Sequence, residues 1–337
     1  YISDRLLNTL TAESDIKRLV TEEGSLYKAI IIPSGTTITP ELKAILDRFS
    51  EYVIYGDSPA DMARFAKPES MKLEYGLKAI RRQNESGYHY FIANLTPNDI
   101  CEDIQLAVDY ADALWFDPLT GERYRVNKDG QKIELNLNSG QSMILQTFNQ
   151  PLNIQENLPV LADSFAIEEE VPLNGPWTLT FTEEKPRVEQ TFNLTKPQTW
   201  ETLDNDSAKV TMGTGIYATS LKLTKKDLKQ TSKWQIDLGD VRESARVYIN
   251  GQFIGCAWSV PFTLDCKNTL KAGRNEIRIE VTNLPANRIA DYDRRGIKWR
   301  KMEEINVVDI NYKKTTYEDW EPLPSGLNSG VKLIRRQ

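Results

Sequence analysis

Trp258, Arg288, Asp291, Tyr292, Trp299 and Trp320 combine flat apolar rings with charged groups that can hydrogen-bond. Rings of this kind stack on the apolar face of a sugar, while carboxylates and guanidinium groups bond its hydroxyls. These six are the candidate carbohydrate-binding residues. Trp200, Tyr217, Tyr312 and Tyr317 add to the same aromatic supply, and Asp293, Arg294 and Arg295 stand beside it. Each ring has a plainer competitor. Trp258 precedes a Pro-Phe strand start, where core or domain contact competes with ligand contact. Trp299 and Trp320 lie in irregular sequence, open to a ligand or packed against a further domain. Trp177 and Trp234 alternate with apolar positions and are expected in the core.

Hydrolysis of a glycoside needs two carboxylates about 5–9.5 Å apart across the scissile bond. Close pairs such as Glu183-Glu184 and Glu303-Glu304 exist among 48 acidic residues, but a solvated surface accounts for them. No catalytic residue is assigned. One histidine, His89, excludes a multi-histidine metal site and leaves a serine triad a single possible base. It sits in the strand-like run YHYFIANL, as a packed or solvated strand residue. Three cysteines make no disulfide framework; Cys256 and Cys266 either pair across neighbouring strands or stay as buried thiols with Cys101. The GTG at 213–215 and the SGLNSG near 325–330 lack the strand-to-helix context of a phosphate loop. A net charge of -6 without a basic block disfavours nucleic acid and anionic membrane. No apolar run reaches the ~20 residues of a spanning helix.

The elements that must carry these residues are mostly strands. From Lys233 to Leu284 strict alternation occurs three times, in Trp234-Ile236-Leu238, Val247-Ile249 and Ile277-Ile279-Val281. A period of two puts one face in a core and the other in water. Asn250-Gly251 marks a hairpin because both residues tolerate positive φ, and Lys271–Arg274 marks a second turn. Such strands must face a second sheet, so this is half of a β-sandwich. Residues 69–150 hold seven short β runs with regular turns, Asp117–Gly121 among them, and read as a small antiparallel sandwich. Residues 1–68 read as a partial α/β segment. There a helix is expected over ESDIKRLVTEEG, ending at Gly24. YKAIIIP reads as a strand buried on both faces, parallel to YVIYGDSP, with a helix at PELKAIL capped by Thr39 between them. Residues 151–172 are a linker and 173–337 a jelly-roll domain. Its end, from about Pro285, reads as long and irregular, a loop that is functional or docked on a partner.

The ordered set VYINGQFIG, AWSVPFTLD and LKAGRNEIRIEVTNL resembles the jelly-roll sugar-binding domain of family 2 glycoside hydrolases. Taken whole, the chain resembles the C-terminal region of family 106 glycoside hydrolases, the α-L-rhamnosidase-type enzymes. YISDRLL through YVIYGDSP, YHYFIANL through LNLNSGQSMIL, NGPWTLTF through GTGIYATSLKL, the Lys233–Leu284 run and VTNLPANRIADYD with PLPSGL follow the family's order. The resemblance implies a mainly β fold: a galactose-binding-like jelly roll behind a small sandwich and an α/β segment. It also implies an extracellular or periplasmic setting and carbohydrate as partner. The family's acid and base carboxylates, and its calcium, belong to a barrel that precedes this region; nothing here matches that barrel. The missing catalytic domain of the same polypeptide is then a second partner. The stretch 293–321 departs from the family's pattern. Three roles stay open: a non-catalytic flank of a glycoside hydrolase, a stand-alone carbohydrate-binding protein, or a scaffold without sugar affinity.

Overall fold

The computed structural model describes residues 2–153, 158–161, 167–228, 233–301, 311, 313 and 315–336. Tyr312, Glu303 and Glu304 fall outside the described residues. The architecture is mainly β, built from antiparallel sheets with one parallel pair.

Helix α1 (Asp4–Thr9) starts the described chain, with Ser3 Oγ accepting from the Leu6 N–H at 3.4 Å. Three short strands follow, β1 (Thr11–Glu13), β2 (Arg18–Val20) and β3 (Leu26–Tyr27), in one antiparallel sheet. The helix expected over residues 13–24 is therefore a hairpin and a turn. Leu19 is the one buried side chain from Thr11 to Ala29, so no helical stripe exists to bury. Lys17, at φ +50°, also turns the chain back on itself. Strand β4 (Ile30–Ile32), helix α2 (Pro40–Asp47) and strand β5 (Val53–Tyr55) form the parallel unit, with Ile30 opposite Val53. Thr39 caps α2, its Oγ1 accepting from the Leu42 N–H at 3.2 Å, with Pro40 as first helical residue. β4 is not buried on both faces: Ile30 is inside, while Ile31 is exposed. Leu7, Leu10, Leu19, Leu46, Phe49 and Val53 close a small core around Ile30.

Short helices α3 (Pro59–Met62) and α4 (Ser70–Glu74) lead into the next group of strands. One sheet joins β6 (Lys78–Gln83), β7 (Gly87–Ala93), β9 (Asp112–Phe116), β10 (Arg123–Arg125) and β13 (Ser142–Phe148), in the order β10-β9-β13-β7-β6. The second joins β8 (Ile100–Gln105), β11 (Lys128–Asp129) and β12 (Lys132–Leu137). Tyr90, Ile92, Trp115 and Leu145 pack from the first sheet against Ile104, Ile133 and Leu135 from the second. Gly121, at φ +79°, closes the Asp117 hairpin, its N–H donating to the Asp117 carbonyl at 2.9 Å. His89 lies on the solvent side of β7, its Nδ1 2.6 Å from Asn84 Nδ2.

The last group is a two-layer sandwich. Its six-stranded sheet contains β15 (Trp177–Lys185), β16 (Phe192–Leu194), β17 (Met212–Leu223), β20 (Ser244–Ile249), β21 (Gln252–Ala257) and β23 (Gly273–Thr282). Their order is β16-β15-β17-β23-β20-β21. Facing it are β14 (Ile167–Pro172), β18 (Lys233–Asp237), β22 (Thr263–Asp265) and β25 (Lys332–Arg336), in the order β14-β25-β18-β22. A short pair, β19 (Val241–Arg242) with β24 (Gly326–Leu327), and helix α5 (Asp206–Val210) complete this body. Each alternating triplet turns inward: Trp234, Ile236, Val247, Ile249, Ile277, Ile279 and Val281 share one core with Trp177. Asn250 and Gly251 sit at φ +51° and +82°, as a two-residue hairpin requires. Asn250 Nδ2 also donates to Asn275 Oδ1 at 2.9 Å, and buried Asn275 in turn holds the turn at Lys271 and Gly273. All three cysteines are free; Cys266 is buried, while Cys101 and Cys256 are exposed rather than buried, Cys256 facing outward from β21.

Candidate functional site

Strand β23 ends at Thr282, and the chain then forms helix α6 (Ala286–Arg294), where the sequence had read as irregular. The helix fastens the returning chain along one stripe. Asn287 Nδ2 donates to the Leu323 carbonyl and its Oδ1 accepts the Leu323 N–H, both at 2.8 Å. Two turns later Arg294 Nε donates to the Glu318 carbonyl at 2.8 Å, and a second guanidinium nitrogen to the Trp320 carbonyl. Asp293 takes the Trp299 indole N–H at 2.7 Å on one oxygen and the Tyr317 N–H at 2.9 Å on the other. Positions seven apart on a helix share a face, which is why Asn287 and Arg294 reach the same returning strand of chain.

These bonds gather an aromatic cluster. The Tyr317 ring lies 6.4 Å from Trp299 and 4.6 Å from Trp320, centre to centre. The Arg300 guanidinium sits 4.8 Å from the Trp299 ring and donates to the Thr315 carbonyl at 2.6 Å. Beside it opens a cavity of about 470 Å³, lined by Asp293, Lys298, Trp299, Arg300, Thr315 and Thr316. Trp320 is 47 % exposed and Trp299 half-buried. The backbone N–H of Tyr317, followed by the Trp299 indole and Arg300, holds the Asp293 carboxyl below its ordinary range. It is therefore ionised, and its charge is spent on the loop.

The other candidates divide. Arg288 and Asp291 are paired with each other at 2.8 Å, and Asp291 also meets Arg295 at 3.3 Å. The Arg288 guanidinium lies 4.2 Å from the Tyr292 ring. Arg288, Asp291 and Tyr292 therefore meet one another along α6, while the buried Arg288 Nε has no hydrogen-bond partner among the described residues. Trp258 stands apart, 67 % exposed in the loop after β21. Two residues on, Val260 packs against Gly140 of the small sandwich, where an added Cβ would come within 3.2 Å of the valine methyl. Trp200 and Tyr217, part of the aromatic supply in the sequence, are core residues instead. The Trp200 indole donates to Tyr217 Oη at 3.0 Å, and that hydroxyl donates to the Gln198 carbonyl at 2.7 Å. Burial drives the Tyr217 phenol far above its ordinary value. Asp293, Arg294 and Asn287 act as the clasp; the seven-residue spacing of Asn287 and Arg294, with Asp293 adjacent, was the available signal.

Among the described residues, Asp293 lines this cavity and Glu276 lines a cleft on the six-stranded sheet. Among the described residues no three His, Cys, Asp or Glu side chains converge as a metal site. No helix of the described chain is long and apolar enough to cross a membrane.

Comparison with known proteins bears on the domain that carries these residues. Residues 194–331 match the family model for the glycosyl hydrolase 2 galactose-binding domain-like fold, which spans β17 through α6 and the aromatic loop. A putative β-glucuronidase of Formosa agariphila is 29 % identical over 232 residues, covering 63 % of this chain and 20 % of the relative. The solved rhamnosidase of Novosphingobium sp. PP1Y superposes with a TM-score of 0.64 at 18 % identity, over 98 % of this chain and 35 % of the other. The chain thus spans a fifth of the curated relative and about a third of the rhamnosidase. Residues 194–331 are a galactose-binding-like domain of the family 2 glycosyl hydrolase type, in a chain that shares its fold with part of a rhamnosidase.

Proposed function

We propose that this chain is the non-catalytic C-terminal region of a family 106-type glycoside hydrolase working outside the cytoplasm. Its domains, at residues 1–68, 69–150 and 173–337, would flank the catalytic barrel and hold carbohydrate at the aromatic loop of α6. The observation that carries this reading is the cluster of exposed Trp320 with half-buried Tyr317 and Trp299 beside a polar cavity, inside a galactose-binding-like domain. Stacking rings next to hydroxyl and cationic groups suit a sugar better than an apolar partner. The fold likeness to the rhamnosidase over nearly the whole chain supports the assignment of all three parts to one enzyme type.

Two measurements test it. The chain is expected to leave 4-nitrophenyl α-L-rhamnopyranoside and 4-nitrophenyl β-D-glucuronide intact; turnover abolished by a substitution within the chain would sink the non-catalytic role. In native gels containing soluble polysaccharide, Trp320→Ala and Trp299→Ala are expected to weaken retardation about tenfold, with unchanged circular dichroism. Equal retardation of wild type and both variants would remove the aromatic loop from sugar binding.

A further inference from the structure

The parallel pair of β4 and β5 has one covered edge and one open edge. Ile30 lies opposite Val53, Ile31 opposite Ile54 and Ile32 opposite Tyr55, and the Gly56 N–H donates to the Ile32 carbonyl at 2.9 Å. Alternate residues of a strand point their backbone groups to the same side. Ile30 and Ile32 therefore bond β5, and the N–H and carbonyl of Ile31 point to the far edge of β4. On β5 the first residue aimed away is Val53. Its N–H donates to the Ser50 carbonyl, and its carbonyl accepts from the Arg64 guanidinium at 2.6 Å. Ile31 has no such cover: no hydrogen bond to its N–H or carbonyl is found among the described residues.

The side chains repeat the contrast. Ile30 and Val53 close the small core on one face. On the other face Ile54 of β5 is 5 % exposed and Ile31 of β4 is 44 % exposed. Leu26 and Tyr27 of β3, also exposed, stand just before β4 in the chain. Residues 2–55 carry seven of the 18 exposed large apolar side chains among the described residues, so uncovered apolar surface is concentrated on this segment. Edge strands that stay in water are blunted by charge, proline or a bulge. β4 is Ile-Ile-Ile, with Lys28 and Pro33 only beyond its ends.

These features select the occupant. An edge of backbone donors and acceptors takes extended backbone. Parallel strands come with both faces covered, and two strands are too few for a sheet to stand alone. A second copy fits poorly: Pro33 ends the strand, so two β4 edges meeting antiparallel exchange only the two bonds of Ile31. A separate protein would meet the same small contact, whereas a tethered strand binds at high effective concentration. The rhamnosidase that shares this fold holds it within a longer chain, of which it covers 35 %. We propose that the open edge of β4 takes a strand from the catalytic region of the same polypeptide, whose apolar side chains cover Ile31, Leu26 and Tyr27. The proposal rests on the reading of this chain as the flank of a glycoside hydrolase, and it fixes where that flank is joined.

The test compares amide hydrogen exchange at residues 29–32 in this chain and in the polypeptide encoded by the complete reading frame. The Ile31 amide is expected to exchange about a hundredfold more slowly in the longer polypeptide, while the Ile32 amide, already bonded to β5, changes less. Ile31→Pro removes the outward N–H and spares the bonds of Ile30 and Ile32. It is expected to lower the unfolding midpoint of the longer polypeptide and to leave that of this chain in place. Three results overturn the proposal: equal exchange of the Ile31 amide in both, a reading frame that adds no catalytic region, or equal loss of midpoint in both on Ile31→Pro. Concentration-dependent dimerisation of this chain, removed by Ile31→Pro, also overturns it and makes the edge a contact between copies. A longer polypeptide that cleaves 4-nitrophenyl α-L-rhamnopyranoside but leaves Ile31 unprotected sinks the join and spares the glycoside hydrolase reading; protection without cleavage does the reverse.

Discussion

The aromatic loop of α6 and the outer face of the six-stranded sheet are held in place by different means. The face is positioned by backbone ladders, so its side chains inherit their order from register. The loop is positioned by three side chains of one helix, Asn287, Asp293 and Arg294, reaching carbonyls and N–H groups of irregular chain. A ladder-built surface is as stable as the core beneath it, whereas a clasp-built surface can open alone.

The largest effect is expected in the core shared by the two sheets. Trp200→Ala should cost about 3–5 kcal/mol in urea unfolding, because the indole is fully buried and bonded to Tyr217. A loss below about 1 kcal/mol would mean that the sandwich does not depend on this anchor. Asp293→Ala should act locally instead. Trypsin is expected to cut faster at Lys298 and Arg300 while the unfolding midpoint stays put; a midpoint shift comparable with Trp200→Ala would erase the contrast between the two regions.

Acid should mimic that substitution. The folded-state value of Asp293 lies below its ordinary value of 3.8, so its contribution is present above that value and is lost as pH falls through the depressed one. Tryptophan fluorescence is expected to report release of the loop below about pH 3.8 in wild type and no such step in Asp293→Ala. The smallest effect belongs to Trp258→Ala. An exposed ring in a loop should change stability by less than about 0.5 kcal/mol. A larger loss would show that Trp258 packs where Val260 meets the small sandwich.

The strands were legible because burial of one face imposes a period of two; Trp234-Ile236 and Ile277-Ile279-Val281 announce their direction without any neighbour. Asn250-Gly251 was legible because few residue pairs accept two positive φ angles. The hairpin around Lys17 was not, since charged residues at helical density conceal a stretch with one buried side chain. Helix α6 was missed for a related reason: its run ANRIADYDR is polar on most sides, and its fixing bonds go to chain some thirty residues away. Ring type alone did not separate Trp200, which is core, from Trp320, which is surface; the hydroxyl of Tyr217 awaiting a donor is visible only in three dimensions.

Strand β25 follows every other strand of the sandwich in sequence, yet it lies between β14 and β18. A polypeptide leaving the ribosome therefore exposes two unpaired strand edges until residues 332–336 arrive to fill the gap. Such edges invite pairing with other chains. Deleting only those few residues would split a sheet down its middle, and the yield of soluble material should fall out of proportion to the number of atoms removed.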